Sequence, residues 1–260
     1  MATDLQLALD AADLADRVTF SLFRLPTLAV AAKPDLSPVT EADRAAEAVI
    51  RELVARERPA DAVLGEEMGL SGTGRRRWLV DPIDGTVNYV RGIPVWATLI
   101  GLEVDGTMDV GVVSAPALGR RWWAKRGEGA FAGPPGGAGA PITVSKVAEL
   151  AEASISSSSV GDFPVPGRVA ELAARVKRDR GFGDFWNHML VAEGALEAGL
   201  DPVVSIWDIA ALQVIVEEAG GKFTDFSGSR RIDAGTALSS NGLVHAGIVA
   251  SLADRGDAPR

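Results

Sequence analysis

One segment, residues 78–94, places an apolar strand directly before two closely spaced acids and a glycine turn: WLVDPIDGTVNYVRGIP. The apolar run ends at Asp81, and Asp84 follows three residues later. Two carboxylates at this spacing can bridge hard cations, because Mg²⁺ prefers oxygen ligands. Glycine permits unusual dihedrals, so the N–H groups of Gly85 and Thr86 can face outward and hold an anion. The segment predicts a site for metal ions and an anion; the alternative is a strand-to-turn connection with solvated acids.

Three further acids occupy comparable places, and each also has a simpler interpretation. Glu66 follows a short apolar strand, where a charged surface turn is the simpler reading. Asp208 follows an apolar run and begins a helix, which is also where an N-cap acid is common. Asp43 stands three residues after Thr40, as in a variant of the capping box. Taken singly, these simpler readings are favoured.

The acids are more informative as a set. Open α/β sheets bind ligands at the carboxyl ends of their strands, so we expect these side chains to meet in one crevice. Four or more adjacent carboxylates do not all stay ionised without cations, and two or three Mg²⁺ would also neutralise a phosphate dianion. Asp43 and Thr86 are candidates for orienting and deprotonating a water. The set predicts Mg²⁺-dependent hydrolysis of a small phosphate monoester.

Charge and composition exclude several other classes of function. The formal net charge is −9, which disfavours a nucleic-acid partner. The chain has no cysteine, which excludes thiolate catalysis, disulfides and Cys–zinc sites. It has only two histidines, His188 and His245, so a His-rich metal site is excluded and a Ser-His-Asp triad is disfavoured.

The beginning of the chain and its apolar runs bear on location. Residues 1–18 alternate acids with small apolar residues and lack the basic start and apolar core of a signal peptide. No apolar run approaches the length of a membrane span. The sequence therefore predicts no membrane partner and a cytoplasmic location.

The first half of the chain predicts an α+β lobe. Apolar residues at spacings of three and four predict a helix over 7–22, ending near Pro26, and another over 42–54, ending before Pro59. Short β-rich runs then predict an antiparallel sheet from residues 78–80, 95–104, 110–118 and 120–127.

The second half predicts an α/β lobe. The predicted elements are a strand over 153–160, helices over 169–176 and 187–197, a strand over 203–207, a helix over 209–220 and a strand over 222–226. We expect two lobes, residues 1–145 and 146–260, with the site between them.

Three motifs together resemble the inositol monophosphatase superfamily. They are Gly65-Glu66-Glu67, the run from Asp81 to Tyr89, and Trp207-Asp208-x-Ala210, in the family's order and separation. The segment EEAGGKFTDFSG (217–228) is similar as well, so the resemblance covers nearly the whole chain.

The resemblance implies a layered αβαβα sandwich and a homodimer. It implies Mg²⁺ ligands at Glu66, Asp81, the carbonyl of Ile83, Asp84 and Asp208, with Glu66 also counted among the catalytic residues. It further implies that Asp43 and Thr86 handle the nucleophilic water, that backbone at Gly85 and Thr86 holds the phosphate, and that Lys33 approaches the site from the first loop.

The substrate is predicted from a few positions. In relatives the substrate wall includes the positions of Asp201 and of the segment from Arg180 to Phe185. Acids at Asp184 and Asp201 suit a cationic substrate better than a neutral polyol. Histidinol phosphate carries an ammonium group and an imidazole, and segments such as SAPALGRRWWA resemble the histidinol-phosphatase branch, which serves histidine biosynthesis. The simpler reading of Asp184 is a turn residue that caps the next helix.

Other functions were weighed against this one. Aspartyl-nucleophile phosphatases need Asp-x-Asp before Gly-Thr, but Pro82 stands at the first required position, so that class is rejected. Inositol 1-phosphate, fructose 1,6-bisphosphate, nucleotide 3′-phosphates and other small polyol or sugar phosphates remain alternative substrates. A non-catalytic binding or assembly factor is a further alternative, against which the complete carboxylate set argues.

Overall fold

The computed structural model describes residues 2–34 and 36–253 of the chain. Its helices are α1 (Asp4–Leu22), α2 (Glu41–Glu57), α3 (Thr86–Val90), α4 (Pro166–Ala173), α5 (Asp184–Ala192), α6 (Ile206–Glu218) and α7 (His245–Leu252). Its strands are β1 (Val30–Ala32), β2 (Pro38–Thr40), β3 (Ala62–Gly65), β4 (Gly69–Ser71), β5 (Arg76–Asp84), β6 (Ala97–Val104), β7 (Thr107–Ala115), β8 (Arg120–Lys125), β9 (Ala130–Gly133), β10 (Ala140–Pro141), β11 (Ser154–Ser157), β12 (Arg178–Arg180), β13 (Ala198–Asp201), β14 (Lys222–Thr224) and β15 (Ala237–Ser240). Three short 3₁₀ turns span Pro116–Leu118, Leu150–Glu152 and Val160–Asp162.

The first large sheet has eight strands in the order β10-β9-β8-β7-β6-β5-β3-β4. Neighbouring strands are antiparallel except β3 and β5, which are parallel. The predicted antiparallel pairing is thus confirmed for β5 to β8. The β6–β7 hairpin turns at Asp105 and Gly106, whose φ values are 52° and 76°. Two successive positive φ values suit the twist of a tight hairpin.

The second sheet has five strands in the order β12-β11-β13-β15-β14. Strand β11 runs parallel to β12 and β13, while β15 is antiparallel to β13 and β14. Parallel neighbours need a crossover, and α4 and α5 supply the two crossovers here. This sheet carries Asp201 at the end of β13.

Helices and sheets alternate in five layers. Helices α1 and α2 pack on one face of the eight-stranded sheet, around a core that includes Leu7, Ile50 and Trp78. Helices α5 and α6 lie between the two sheets, and α4 and α7 cover the outer face of the second sheet. The predicted αβαβα sandwich is confirmed. The division at residues 145 and 146 stays a prediction.

Helix α6 is apolar on every side because it lies between two sheets. Eight successive residues, Ile209–Val216, are buried. A helix that is apolar all round belongs in an interior. Its backbone comes close to β7, where a Cβ built on Gly111 would lie 2.3 Å from the carbonyl oxygen of Ala211. Glycine at this position therefore sets the distance between the sheet and α6.

Two predicted elements of the second half differ from the structure, and others were not predicted. The predicted strand over 203–207 is wrong, because residues 203–205 are irregular and Ile206 already begins α6. The helix predicted over 187–197 is α5, which begins at Asp184 and ends at Ala192, since Gly194 takes a left-handed φ of 74°. Strand β13 begins directly after the predicted helix, and β12, β13, β15 and α7 were not predicted. Apolar runs this short fit helix or strand equally well.

No helix in the described ranges combines the length and the apolar character that a membrane crossing requires.

The close approach at Gly111 makes a testable prediction. Gly111→Ala should lower the free energy of unfolding by about 1–3 kcal/mol, because the new methyl group overlaps backbone that cannot move independently. Urea unfolding measures the change. Gly167→Ala in α4 is the matched control: nothing lies within 4 Å of its Cβ position, so stability should stay or rise slightly. Equal stability of Gly111→Ala and the wild type would contradict the packing argument.

Candidate active site

Strand β5 carries Asp81 and Asp84 near its carboxyl end. It runs through Asp84 rather than ending at Asp81, and its register with β6 shifts between these two residues. A bulge changes the direction in which nearby side chains point. Proline is tolerated at a bulge because the residue there need not donate an N–H group to the neighbouring strand. Gly85 follows with a φ of 81° and caps α3. The bulge and the left-handed glycine together turn the chain from the sheet into a helix.

Asp81 and Asp84 are each held by a backbone N–H group. Asp81 Oδ1 accepts from Ile83 N at 2.9 Å, and Asp84 Oδ2 accepts from Phe185 N at 2.6 Å. Burial raises the pKa of both carboxyls well above the ordinary value. The charge of Asp208 raises both further, and Asp81 and Asp84 repel each other. These acids from distant parts of the sequence therefore share one site.

Asp208 lies in the first turn of α6, where it closes a capping box. Its Oδ2 accepts from Ser205 N at 2.7 Å, and Ser205 is the N-cap residue. Burial raises the pKa of Asp208 to about 7, opposed by that hydrogen bond and assisted by the charges of Glu66 and Asp201. The cap interpretation is confirmed for this residue, which also lies near the other acids; its role as a metal ligand stays a prediction.

Glu66 lies just after β3 and pairs with Lys33. The Lys33 Nζ atom is 2.6 Å from Glu66 Oε1 and 2.6 Å from Glu67 Oε1. Burial lowers the pKa of Lys33, but the hydrogen bonds and charges of the two glutamates outweigh it and raise the pKa above its ordinary value. The structure thus places Lys33 of the first loop at the edge of the acid cluster, as the sequence predicted.

Asp43 and Thr86 meet across two elements. Asp43 Oδ2 accepts from the N–H of Thr40 at 2.8 Å and from its hydroxyl at 2.6 Å, which confirms the capping box of α2. The Thr86 hydroxyl donates to the Ile83 carbonyl at 2.9 Å and lies 3.4 Å from Asp43 Oδ1. Burial raises the pKa of Asp43, and the charge of Glu66 adds to it. A base and a hydroxyl are therefore adjacent beside the acid cluster.

The sequence analysis missed Glu47, which is fully buried on α2. Its carboxylate accepts from the N–H groups of Glu67 at 2.8 Å and Met68 at 3.1 Å, and from Arg51 Nε at 2.7 Å. A Cβ on Gly65 would lie 2.2 Å from it. Glu47 thus fixes the turn that carries Glu66. An acid on the apolar stripe of a helix is the sequence signal that could have identified Glu47.

Two cavities open onto these residues. The serine-lined cavity, about 550 Å³, is bordered by Glu66, Gly85, Thr86, Asn88, Ser157–Ser159 and Gly181–Asp184, among others. The acid-lined cavity, about 220 Å³, is bordered by Asp84, Asp162, Asp184, Asp201 and Asp208, among others. Asp184 lines both cavities, so a ligand can extend from one into the other past this side chain.

Asp184 and Asp201 lie together as predicted, but Arg180 does not join them. Asp184 begins α5 with a φ of 53°, and its Oδ2 accepts from Asn88 Nδ2 at 3.1 Å. Burial and the charge of Asp201 raise the pKa of Asp184 to about 6. Arg180 lines a different cavity, of about 270 Å³, beside Trp186. Its predicted contact with substrate stays a prediction.

The donor set fits Mg²⁺ by its chemistry. Within residues 2–34 and 36–253, no three His, Cys, Asp or Glu side chains stand in a geometry that would hold a metal ion. The buried acids nevertheless offer only oxygen, and burial together with the charges of neighbouring acids raises their pKa values; a hard cation relieves both effects. Glu66, Asp81, Asp84, Asp208 and the Ile83 carbonyl are the groups that would hold it.

Repulsion among the acids makes a prediction about stability. In EDTA at neutral pH, Asp81→Asn should raise the melting temperature, because it removes a repelled charge worth on the order of 1 kcal/mol and keeps an oxygen for Ile83 N. Mg²⁺ should raise the melting temperature of the wild type and raise that of the variant less. Scanning fluorimetry in EDTA and in MgCl₂ measures both.

The control is Asp61→Asn, which removes a buried acid that has a cationic partner, Arg76, at 3.0 Å. This variant should melt lower in both buffers and keep the wild-type response to Mg²⁺. A lower melting temperature of Asp81→Asn in EDTA, with an unchanged response to Mg²⁺, would refute the repulsion argument.

Comparison with known proteins gives one consistent family. The model of the inositol monophosphatase family matches residues 2–256. A histidinol-phosphatase of Mycobacterium tuberculosis is 51% identical over 96% of this chain and 97% of its own length. One of Streptomyces coelicolor is 48% identical over 97% of each chain. The solved structure of an IMPase of Thermotoga maritima has a TM-score of 0.82 and 33% identity, covering 95% of this chain and 94% of that one.

Proposed function

We propose that this chain, which belongs to the inositol monophosphatase family, hydrolyses histidinol phosphate to histidinol and inorganic phosphate with Mg²⁺ as its cofactor. Membership in the family and its most similar relatives make it a phosphoric monoester hydrolase. The observation that carries the choice of substrate is the acid-lined cavity, where Asp184 and Asp201 lie beside Asp84 and Asp208. Anionic walls next to a phosphate site select a phosphate ester whose other end is cationic.

The phosphate end of the substrate belongs at the turn after β5. Gly85 caps α3, and the first N–H groups of a helix have no partner within it, so they can bind phosphate oxygens. Glu66, Asp81, Asp84 and Asp208 surround this turn from three other elements. When bound there, two or three Mg²⁺ supply charge neutralisation and lower the pKa of a coordinated water.

Asp43 and Thr86 handle the proton of the attacking water. The pKa of the buried Asp43 is raised, so its carboxylate is a better base than an exposed aspartate. Thr86 lies between Asp43 and the Ile83 carbonyl, and its hydroxyl relays the hydrogen bond from water to carboxylate. Glu66, on the opposite side, raises the pKa of Asp43 through its charge and is a further candidate in proton handling.

The leaving group of histidinol phosphate matches the acid-lined cavity. It carries an ammonium group and an imidazole, both of which donate hydrogen bonds to carboxylates. The pKa of Asp184 is raised by burial and by Asp201, so a cation between the two acids would relieve a repulsion already present. A neutral polyol offers hydroxyl groups but no charge, and gains less from the same walls. The same argument weighs against inositol 1-phosphate.

The homodimer, the cytoplasmic location and the division into two lobes at residues 145 and 146 belong to the same proposal. Their support is the family to which the chain belongs. Light scattering after gel filtration measures the mass directly, and a monomer at micromolar concentration would remove the homodimer.

A substrate panel tests the proposed reaction. With Mg²⁺, the protein should release phosphate from histidinol phosphate with a kcat/KM at least about tenfold above that for inositol 1-phosphate or glycerol 2-phosphate. Asp84→Asn should abolish release from all three while the protein stays folded by circular dichroism. Faster hydrolysis of inositol 1-phosphate would replace the substrate, and no release by the wild type would favour a binding role.

Asp184 provides a sharper test of the substrate. Asp184→Ala should raise KM for histidinol phosphate about tenfold or more and change KM for glycerol 2-phosphate little, since only the first substrate has a cation to lose. Asp179→Ala, at an exposed acid of β12, is the control for a general loss of negative charge. Equal changes with both substrates would show that Asp184 does not choose the leaving group.

A further inference from the structure

Two adjacent side chains of α5, Asn187 and His188, lie beside Asp201 and the loop that carries Asp184, two of the acids of the acid-lined cavity. Both are fully buried. Neither has been given a role above, although each contacts Asp201 directly. Their hydrogen bonds reach three strands, β11, β13 and β15, and the loop before α5, and these contacts account for every polar atom of the two side chains.

His188 is fixed at both ring nitrogens. Its Nε2 lies 2.8 Å from Asp201 Oδ2, and its Nδ1 lies 2.8 Å from the hydroxyl of Ser239 on β15. A carboxylate can only accept, so Nε2 carries a hydrogen and donates to Asp201, while Nδ1 is paired with the Ser239 hydroxyl. The ring also packs against Phe223, with centroids 5.3 Å apart. His188 is therefore a well-held donor to Asp201.

Asn187 connects Asp201 to the loop that carries Asp184. Its Nδ2 donates to Asp201 Oδ1 at 3.3 Å. Its Oδ1 accepts from Gly183 N at 3.0 Å and from the hydroxyl of Ser156 on β11. The Asn187 amide thus contacts Asp201 at the end of β13 and also the backbone of Gly183, just before Asp184.

The backbone at the second acid needs such support. Gly183 has a φ of 76° and Asp184 a φ of 53°, a left-handed pair that costs a non-glycine residue about 1 kcal/mol or more. The pair is held from both sides, by Asn187 at Gly183 N and by Asp84 at Phe185 N. Loss of either contact would free Asp184 to turn out of the cavity.

We propose that Asn187 and His188 are positioning residues that fix the direction of the Asp184 and Asp201 carboxylates, and so set the preference of this site for a phosphate ester with a cationic leaving group. The inference rests on the proposed function. It places part of the substrate specificity on two fully buried side chains that hold the acids, of which His188 also borders the acid-lined cavity.

His188→Leu tests the proposal, because it keeps the bulk of the side chain and removes both hydrogen bonds. KM for histidinol phosphate and the inhibition constant of histidinol, a probe of the leaving-group end alone, should rise about tenfold. The kcat for glycerol 2-phosphate and the inhibition constant of inorganic phosphate should stay within about twofold. Asn187→Ala should act in the same direction.

Two further variants separate positioning from folding. His188→Gln restores a donor near the place of Nε2 and should recover most of the histidinol affinity. Met189→Ala, at a buried neighbour on α5, should lower the melting temperature by a similar amount without changing the ratio of kcat/KM between the two substrates. The same loss of selectivity in Met189→Ala would reduce the effect to general destabilisation and overturn the proposal.

Failure of the proposed function and failure of this inference give different results. If the wild type does not prefer histidinol phosphate and is not inhibited by histidinol, the proposed function fails and the positioning role fails with it. If the wild type is selective and His188→Leu and Asn187→Ala are equally selective, only the positioning role is overturned. Selectivity lost in both variants and recovered in His188→Gln supports it.

Discussion

Repulsion among buried carboxylates is the constraint on which the rest of this structure depends. Asp81, Asp84 and Asp208 are buried against one another, and burial with mutual charge raises the pKa of each. A folded chain tolerates such a group only if other interactions compensate. The acid cluster therefore lowers the stability of the folded chain by itself. Bound cations and a phosphate would relieve the repulsion, and this loss of stability for the sake of binding distinguishes a binding site from a stable core.

The fold offsets this repulsion with backbone donors and one internal cation. Asp81 accepts from the N–H group of Ile83, two residues away, and Asp84 accepts from that of Phe185, 101 residues away. Asp208 accepts from the N–H group of the N-cap residue of its own helix. Lys33 bridges Glu66 and Glu67 at the margin. These contacts fix each carboxylate near its working position. Ligand binding then requires rotation of side chains rather than movement of strands.

The layered architecture supplies the rigidity that this arrangement needs. Helix α6 delivers Asp208 from a fully apolar environment between two sheets, and β5 delivers Asp81 and Asp84 at a bulge. The opposite sheet supplies Asp201, which His188 and Asn187 hold from behind. The residues proposed for the metal, water and leaving-group functions thus come from different layers that meet at one edge. A change in any layer spacing, as at Gly111, would move one function relative to the others.

The sequence by itself determined the local chemistry, because a strand, a turn and a cap have signatures within a few residues. The acids of 81–84 and the capping box at Thr40 were readable there, whereas the αβαβα class followed from the resemblance of three motifs to a known family. Only the tertiary structure decided how distant groups meet. It showed that Glu47 fixes the turn of Glu66, that Arg180 lies beside another cavity, and that residues 203–207 do not form a strand. Side-chain hydrogen bonds across long separations leave no periodic pattern, so no window of sequence contains them.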